Sequence, residues 1–464
     1  MPIKPISSLL EPSSDWPELA SDAAKIIVVG AGMAGLSAAR RMRAHGLDVC
    51  VVEARERVGG RTHTDDSLGF PVDLGASWIH GVKRNPLNKL VKRLELDTVK
   101  TDYDEMALCG PDGWLDEARN EEVLTRAWEI YDWVDALHQK MDSEEDDLSV
   151  ASAMAREIMR QGGPEFDMEA LDYGIHLMSL DEGIELGKIS LRAWEDDDPY
   201  SGQDKFMVQG YAPVIEHLAD GLDIHLGAPV QRVTWSEDGV RVLVKGQDEV
   251  MVADGLLVTL PLGVLKAGHV SFEPALPEWK QAAIDGLGFG SYNKVILKFD
   301  EPFWSDKPYF FGHIMEPHLW GAFVLNYQSL CGQPALGGVL AGQGAAKLED
   351  KTDEQLVAGM MRQLRRMFGE DIPEPTGFVV TRWDKEPYSL GAYSHCPVGQ
   401  RGDAFDTLGE PVDDILFFAG EATDEDNPAT VTGALNSGLR EANRIMAEFL
   451  PETHDEEEDD WDDD

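Results

Sequence analysis

Residues 25–62, KIIVVGAGMAGLSAARRMRAHGLDVCVVEARERVGGRT, decide the fold. Residues 26–29 are a continuous apolar run rich in β-branched side chains, which suits a strand buried on both faces of a parallel sheet. Gly30, Gly32 and Gly35 then spell G-x-G-x-x-G, and residues 36–44 continue as a helix. Each glycine has its own job: one permits a tight turn, one lets a pyrophosphate approach the backbone, and one lets the helix pack on the strand. The helix N-terminus, with Ala34 in its first turn, offers free N–H groups and a partial positive charge to phosphate. A second strand at residues 48–52 ends at Glu53, where a carboxylate accepts hydrogen bonds from an adenosine ribose and repels a 2′-phosphate. Strand, turn, helix, strand and acid in this order predict a dinucleotide site in an α/β fold.

Directly after Glu53 come Ala54 and Arg55, then a basic, glycine-rich run to Arg61 and Thr62. Arginine suits a pyrophosphate because its planar fork donates two parallel bonds. A nicotinamide dehydrogenase has no need of this second segment. Further on, Gly75, Ala76 and Ser77 precede Trp78 and His80, small residues beside an aromatic and a histidine, as a backbone passing close under a flat ring requires.

The chain of 464 residues exceeds what one core usually supports, so two connected domains are expected. Its four cysteines are scattered without a C-x-x-C pair, which argues against a disulfide framework and a zinc site; no metal is expected. The net charge is −46, and the body stays strongly acidic without the tail at residues 455–464. Such a surface repels nucleic acid, solvates the protein and attracts cations. Residues 1–20 lack a basic and an apolar signal region, no run of 18 apolar residues occurs, and the final aspartates form no peroxisomal signal, so a cytoplasmic protein without membrane attachment is expected. The oligomeric state is left open.

The pair G-A-G-M-A-G-L and E-A-R-E-R-V-G-G-R-T resembles the flavin-containing amine oxidase family. Within it, G-A-S-W-I-H-G with His80 is similar to the FAD-dependent polyamine oxidases of the animal and plant back-conversion type; others carry an acid at that position. The resemblance covers roughly residues 25 to 450, is specific at the cofactor motifs and weaker over 86–210. It implies an α/β protein with a Rossmann-type FAD-binding domain of the GR2 flavoprotein type and an interleaved α+β substrate-binding domain. The expected partition is a flexible lead-in at 1–23, an FAD domain at 24–85, 211–290 and 376–450, a substrate domain at 86–210 and 291–375, and an acidic disordered tail at 451–464.

The resemblance also carries roles onto single residues. Val230 meets the adenine through its backbone. Lys294, inside an alternating strand at 287–299, reaches flavin N5 through a water, and its motif position favours it over Lys298. Trp383 and Tyr388, in an aromatic-rich strand and turn at 382–394, border the flavin, and Tyr393 forms a wall of the aromatic cage. Gly420 and Glu421 open the G-E-A-T turn near the pyrophosphate and ribityl chain. Thr430 and Val431 start a helix under the pyrimidine ring, and a threonine where many relatives have tyrosine widens the site. Ala392 stands where monoamine oxidases attach FAD through a cysteine, so the FAD is expected to be non-covalent. Glu195, with the aspartates at 196–198, forms an acidic rim for a polycation. The block at 429–442 also resembles the flavin histone demethylases.

The implied reaction oxidises a secondary amine of a polyamine such as spermine, spermidine or an acetylated form. Hydride passes to N5, the imine is hydrolysed to aldehyde and amine, and O₂ becomes H₂O₂. Lys294 positions the N5 water, Tyr393 and Trp78 hold the amine near the ring, and His80, Tyr393, Thr430 and Glu195 bind substrate. Two alternatives stand. A monoamine or L-amino-acid oxidase of the same family is one, although no arginine beyond Arg192 offers itself to a substrate carboxylate. A redox-silent FAD-binding interaction protein is the other, and Lys294 and Tyr393 speak against it.

Overall fold

The computed structural model describes residues 6–141, 147–160, 167–194, 200–314 and 323–450. Lys25–Val29 is the middle strand of a five-stranded parallel sheet ordered Asp223–His225, Asp48–Val52, Lys25–Val29, Gly255–Val258, Leu416–Phe418. Alternation along the strand sorts its side chains between two clusters. Ile26 and Val28 join the helices Met33–Ala44 and Val431–Phe449 through Leu36, Ala39, Leu435 and Leu439. Ile27 and Val29 turn to the antiparallel strands Val230–Ser236 and Gly239–Val244 through Val233, Val242 and Val244. With both faces covered, the run at 26–29 has no polar alternate. This is a Rossmann-type α/β arrangement, and its ligand crevice lies at the C-terminal ends of the strands.

A second, seven-stranded mixed sheet runs Gly377–Val380, Tyr292–Lys298, Ala335–Ala341, Val324–Asn326, Phe310–His313, Met106–Gly110, Gly113–Trp114. Within Tyr292–Lys298, Val295 and Leu297 pack with Met360 and Leu364 of the helix Asp353–Phe368. Ile296 faces the opposite cluster, with Val123 of Glu117–His138 and Leu177 of Met168–Asp181. Lys294 shares the parity of Ile296, so it points towards those helices and the cavity beneath them. Asp353–Phe368 starts with a capping box between Thr352 and Gln355. Among the described residues no helix is long and apolar enough to cross a membrane.

Two expectations need correction. The lead-in is docked from Ile6 onward: Ser7–Leu10 is a helical turn with Leu9 fully buried, and the buried Arg40 donates to Leu9 O (2.8 Å), Glu11 O (2.6 Å) and Asp220 O (3.0 Å). A buried guanidinium needs acceptors for its donors, and the lead-in supplies two of them. Of the strand and turn expected at 382–394 the turn dominates, with only the short Ser394–His395 pairing, to Gly288–Phe289. Leu390 at φ 58° and Gly391 at φ 141° leave the extended region, and the Trp383 N–H donates to Asn293 Oδ1 (3.0 Å) instead of a ladder partner.

Candidate active site

One cavity of about 1250 Å³ extends from the strand ends of the parallel sheet to the buried face of the mixed sheet. That exceeds the roughly 300–1,000 Å³ of pockets for single drug-sized ligands. The space suits a dinucleotide together with a substrate.

At the parallel sheet the wall is largely backbone. Gly30 turns the chain at φ 111°, where a Cβ would stand 2.5 Å from Thr259 Oγ1. A Cβ on Gly35 would stand 2.0 Å from Gly30 O, so Gly35 seats the helix on the turn and lies behind the cavity wall. Gly32 differs from both. A Cβ there meets only Gly59 O, at 4.0 Å, yet Gly32 N-caps Met33–Ala44 without a side-chain cap. The open space in front of an uncapped helix N-terminus, walled also by Ala34, fits the pyrophosphate of FAD. Glu53 closes the turn, accepting from the Ala31 N–H through Oε2 (2.8 Å) and the Arg55 N–H through Oε1 (2.8 Å), and it still borders the cavity beside Ala54 and Val230. Each of its oxygens keeps a lone pair for a ribose hydroxyl.

Both arginines already have carboxylate partners. Arg55 is paired with Glu386, lies 3.7 Å from Glu53 Oε1 and stacks 5.7 Å from the Tyr388 ring centroid. Arg61 donates from Nη1 to Glu421 Oε1 (2.7 Å) and to Ala392 O (2.8 Å). Glu421 is a junction: its Oε2 accepts from the Ser394 N–H (3.2 Å) and hydroxyl and from the Ala429 N–H (3.1 Å). It thereby ties the Arg61, Ala392–Ser394 and Gly420–Thr430 segments into one wall. Thr430 caps Val431–Phe449 by accepting from the Gly433 N–H (2.9 Å), and this second helix N-terminus also meets the cavity at Val431.

Between the two ends lies Lys294, 2% exposed. Its Nζ donates to Asp73 O (3.0 Å), Gly75 O (2.6 Å) and Ser77 Oγ (2.7 Å). Burial pulls the ammonium down to about 8, against the opposing charge of Asp73, whose own carboxyl is pushed up to about 6 by burial. Asp73 Oδ2 has no hydrogen-bond partner among the described residues. Lys298, on the same face, donates to Leu68 O (2.6 Å) and does not reach the cavity wall. Gly75 passes so close under the neighbouring chain that a Cβ would stand 1.7 Å from Arg61 O, and Trp383 closes that corner, donating from Nε1 to Leu74 O (3.1 Å). Ala76 completes the floor.

The far end is aromatic and acidic. Trp78 donates to Thr101 Oγ1 (3.2 Å), and Tyr393 donates to Leu180 O (2.9 Å) with its ring 6.1 Å from that of Tyr292. His80 Nδ1 lies 2.8 Å from Asp204 Oδ2, which also accepts from the Tyr103 hydroxyl (2.9 Å). Burial pushes the Asp204 carboxyl up, but His80, the Gly81 N–H and Tyr103 outweigh it and hold it below the usual range. Asp181, bonded by Tyr131, is exposed to the lumen of the cavity, and desolvation by the protein around that cavity raises it to about 6. Glu182 beside it is raised to about 7 by burial and by the charge of Asp181.

The expected acid Glu195 and its neighbours at 196–198 lie outside the described residues. Sequence reasoning missed Asp181, Glu182, Asp204 and Tyr292. One signal was available: Asp181 and Glu182 stand at the C-terminus of Met168–Asp181, where the helix dipole disfavours acids. Arg192 does not line the cavity. Cys396 does, but burial and then Asp147 push its thiol up to about 12.

A family model described as flavin containing amine oxidoreductase matches residues 33–446. Polyamine oxidase 2 of Arabidopsis thaliana is 38% identical over 431 residues, covering 90% of this chain and 87% of the relative. Lysine-specific histone demethylase 1 homolog 2 of the same plant is 37% identical over 436 residues, 91% of this chain and 58% of that protein. Among solved structures, wild-type putrescine oxidase bound to putrescine matches with a TM-score of 0.75 and 23% identity, over 92% of this chain and 99% of that one.

Proposed function

The chain belongs to the flavin-containing amine oxidoreductases, as an FAD-dependent amine oxidase, and from that premise we propose that its substrates are polyamines. The observation that carries this reading is the aromatic end of the cavity, where Asp181, Glu182 and Asp204 stand among Tyr103, Tyr131 and Tyr292. A monoamine reacts as a neutral molecule and needs no such acids. A polyamine keeps further ammonium groups, which carboxylates hold by charge-assisted hydrogen bonds.

FAD held along residues 30–53 and 421–431 would supply the redox chemistry, as acceptor of hydride from the carbon next to the amine nitrogen and donor of electrons to O₂, with H₂O₂ and a hydrolysable imine as products. The protein orients and selects. Tyr393 and Trp78 flank the reacting amine, His80 holds a nitrogen while Asp204 fixes its ring, and Thr430 leaves room that a tyrosine would fill. Lys294 donates all three protons within the wall, so it reaches a water best in its neutral form, to which burial inclines it. The reacting amine must be neutral too, because an ammonium has no lone pair to expel hydride. Ala392 offers no nucleophile to the cofactor, in keeping with non-covalent FAD.

An L-amino acid would bring its carboxylate among acids, since Arg55 and Arg61 are engaged and Arg192 is off the wall. Anaerobic mixing with spermine, N-acetylspermine, putrescine, tyramine and L-amino acids tests the reading by bleaching of the flavin. Bleaching by polyamines alone is expected. Faster bleaching by tyramine or an amino acid overturns the substrate class, and bleaching by none leaves the redox-silent alternative.

A further inference from the structure

Among the described residues, one group of three metal-capable side chains brings its ligand atoms within 4.8 Å of one another: the Cys50 thiol, the Asp223 carboxylate and the His225 imidazole. The register explains the meeting. Asp223–His225 is an edge strand paired in parallel with Asp48–Val52, with Asp223 opposite Cys50 and His225 opposite Val52. Residues two apart on a strand share a face, so both side chains stand over Cys50. His225 Nε2 lies 3.4 Å from Asp223 Oδ1. Around a tetrahedral ion with bonds of about 2.0–2.3 Å, neighbouring ligand atoms stand about 3.3–3.8 Å apart. One edge of such a site is already at length. The imidazole and carboxylate, with side chains 49% and 69% exposed, are free to close the others.

We propose that Cys50, Asp223 and His225 bind a Zn²⁺ ion, with water in the fourth position. The donor set selects the metal: thiolate and imidazole favour zinc over calcium or magnesium, which prefer oxygen. Burial and Asp223 push the Cys50 thiol up to about 12, so without an ion it is an inert thiol. On binding, the thiol proton is released to solvent and the sulfur–zinc bond replaces it. No redox step is involved.

None of the three residues lines the cavity, so the site is separate from the flavin chemistry. It is nevertheless adjacent to the cofactor anchor. The strand carrying Cys50 runs directly into Glu53, whose N–H donates to His225 O (2.9 Å) and whose carbonyl accepts from the Ala228 N–H (2.8 Å). An ion here fastens the edge strand to the strand that presents the ribose-binding acid. The scattered cysteines concealed this site, because zinc motifs are recognised by local spacing and these ligands come from two distant strands.

The test is titration of chelator-treated holoenzyme with Zn²⁺ against a chromophoric zinc indicator, with X-ray absorption on the loaded protein. One tight equivalent per chain with sulfur in the first shell is expected, and Cys50→Ser and His225→Ala should each weaken it by at least about tenfold while FAD stays bound. Because His225 is exposed, its variant tests the site even if Cys50→Ser misfolds. An all-oxygen shell with equal affinity in wild type and variants means zinc scattered on a surface of net charge −46, and overturns the proposal. So does the absence of any tight equivalent.

Discussion

The two ends of the cavity are built by different means. At the parallel sheet, backbone does the work: Gly30, Gly32, Gly59 and Gly75 let chain approach chain or cofactor, and two helix N-termini aim N–H groups inward. At the other end side chains do it, with Trp78, Asp181, Tyr292 and Tyr393 arriving from four separate segments. Backbone recognition is expensive to alter where the glycine also serves the fold, as Gly30, Gly59 and Gly75 do, whereas Gly32 has room for a methyl. Side-chain recognition is separable from the fold, so substrate choice can change while the cofactor is kept.

Gly32→Ala is the sharpest way to break this contrast, because the protein itself has room for the added methyl. We expect a normally folded chain by circular dichroism and an FAD affinity lowered at least about 100-fold, the loss of two charge-assisted hydrogen bonds. Wild-type affinity would refute the placement of the pyrophosphate. Next, Lys294→Met should slow reoxidation by O₂ by about 100-fold or more, the low end of acid–base contributions, with FAD affinity retained. Stopped-flow mixing of the reduced enzyme with O₂ measures it, and full oxygen reactivity ends the role assigned to Lys294.

At the side-chain end, Asp181→Asn should raise KM for spermine about 10- to 100-fold, one charge-assisted hydrogen bond, with kcat changed less than about threefold. A loss confined to kcat would place Asp181 in the chemistry. The smallest effect concerns pH. Asp181 and Glu182, raised to about 6 and about 7, hold an ammonium only when deprotonated, so KM should fall as pH rises through that window. In the doubly substituted Asp181→Asn, Glu182→Gln enzyme this limb flattens, while kcat/KM still climbs towards alkaline pH with the neutral amine. A wild-type profile unchanged by the double substitution removes these carboxylates from substrate binding.

The same contrast explains what the sequence disclosed. Lys25 to Glu53 was legible as a strand–turn–helix–strand unit because the turn, the helix start and the acid at the strand end lie on contiguous chain, each imposing a residue type at fixed spacing. Lys294 was singled out over Lys298 by its motif position alone, since both share the strand face of Ile296; that Gly75 and Ser77 would provide its buried acceptors was not legible. The carboxylate partners of Arg55 and Arg61 were not legible: bidentate geometry suits carboxylates as well as phosphates, and Glu386 and Glu421 lie more than 300 residues away in the chain. Asp181 and Glu182 were hidden by a uniformly acidic composition, in which acids that line a cavity do not stand out from solvating ones. Over 382–394, where strand and turn were both expected, the strand share was overestimated because aromatic residues suit a strand and a packed loop equally well.

The hydrogen bond from Tyr393 to Leu180 O has a consequence for regiochemistry. It hangs one wall of the reaction chamber on the last turn of Met168–Asp181, and the next residues in the chain are the acids proposed to hold the distal ammonium. The span between the oxidised carbon and the captured charge is therefore set by a single rigid piece of helix. Such a gauge counts methylene groups: lengthening that turn by one residue would present a different carbon of the same substrate and change the products without changing the chemistry.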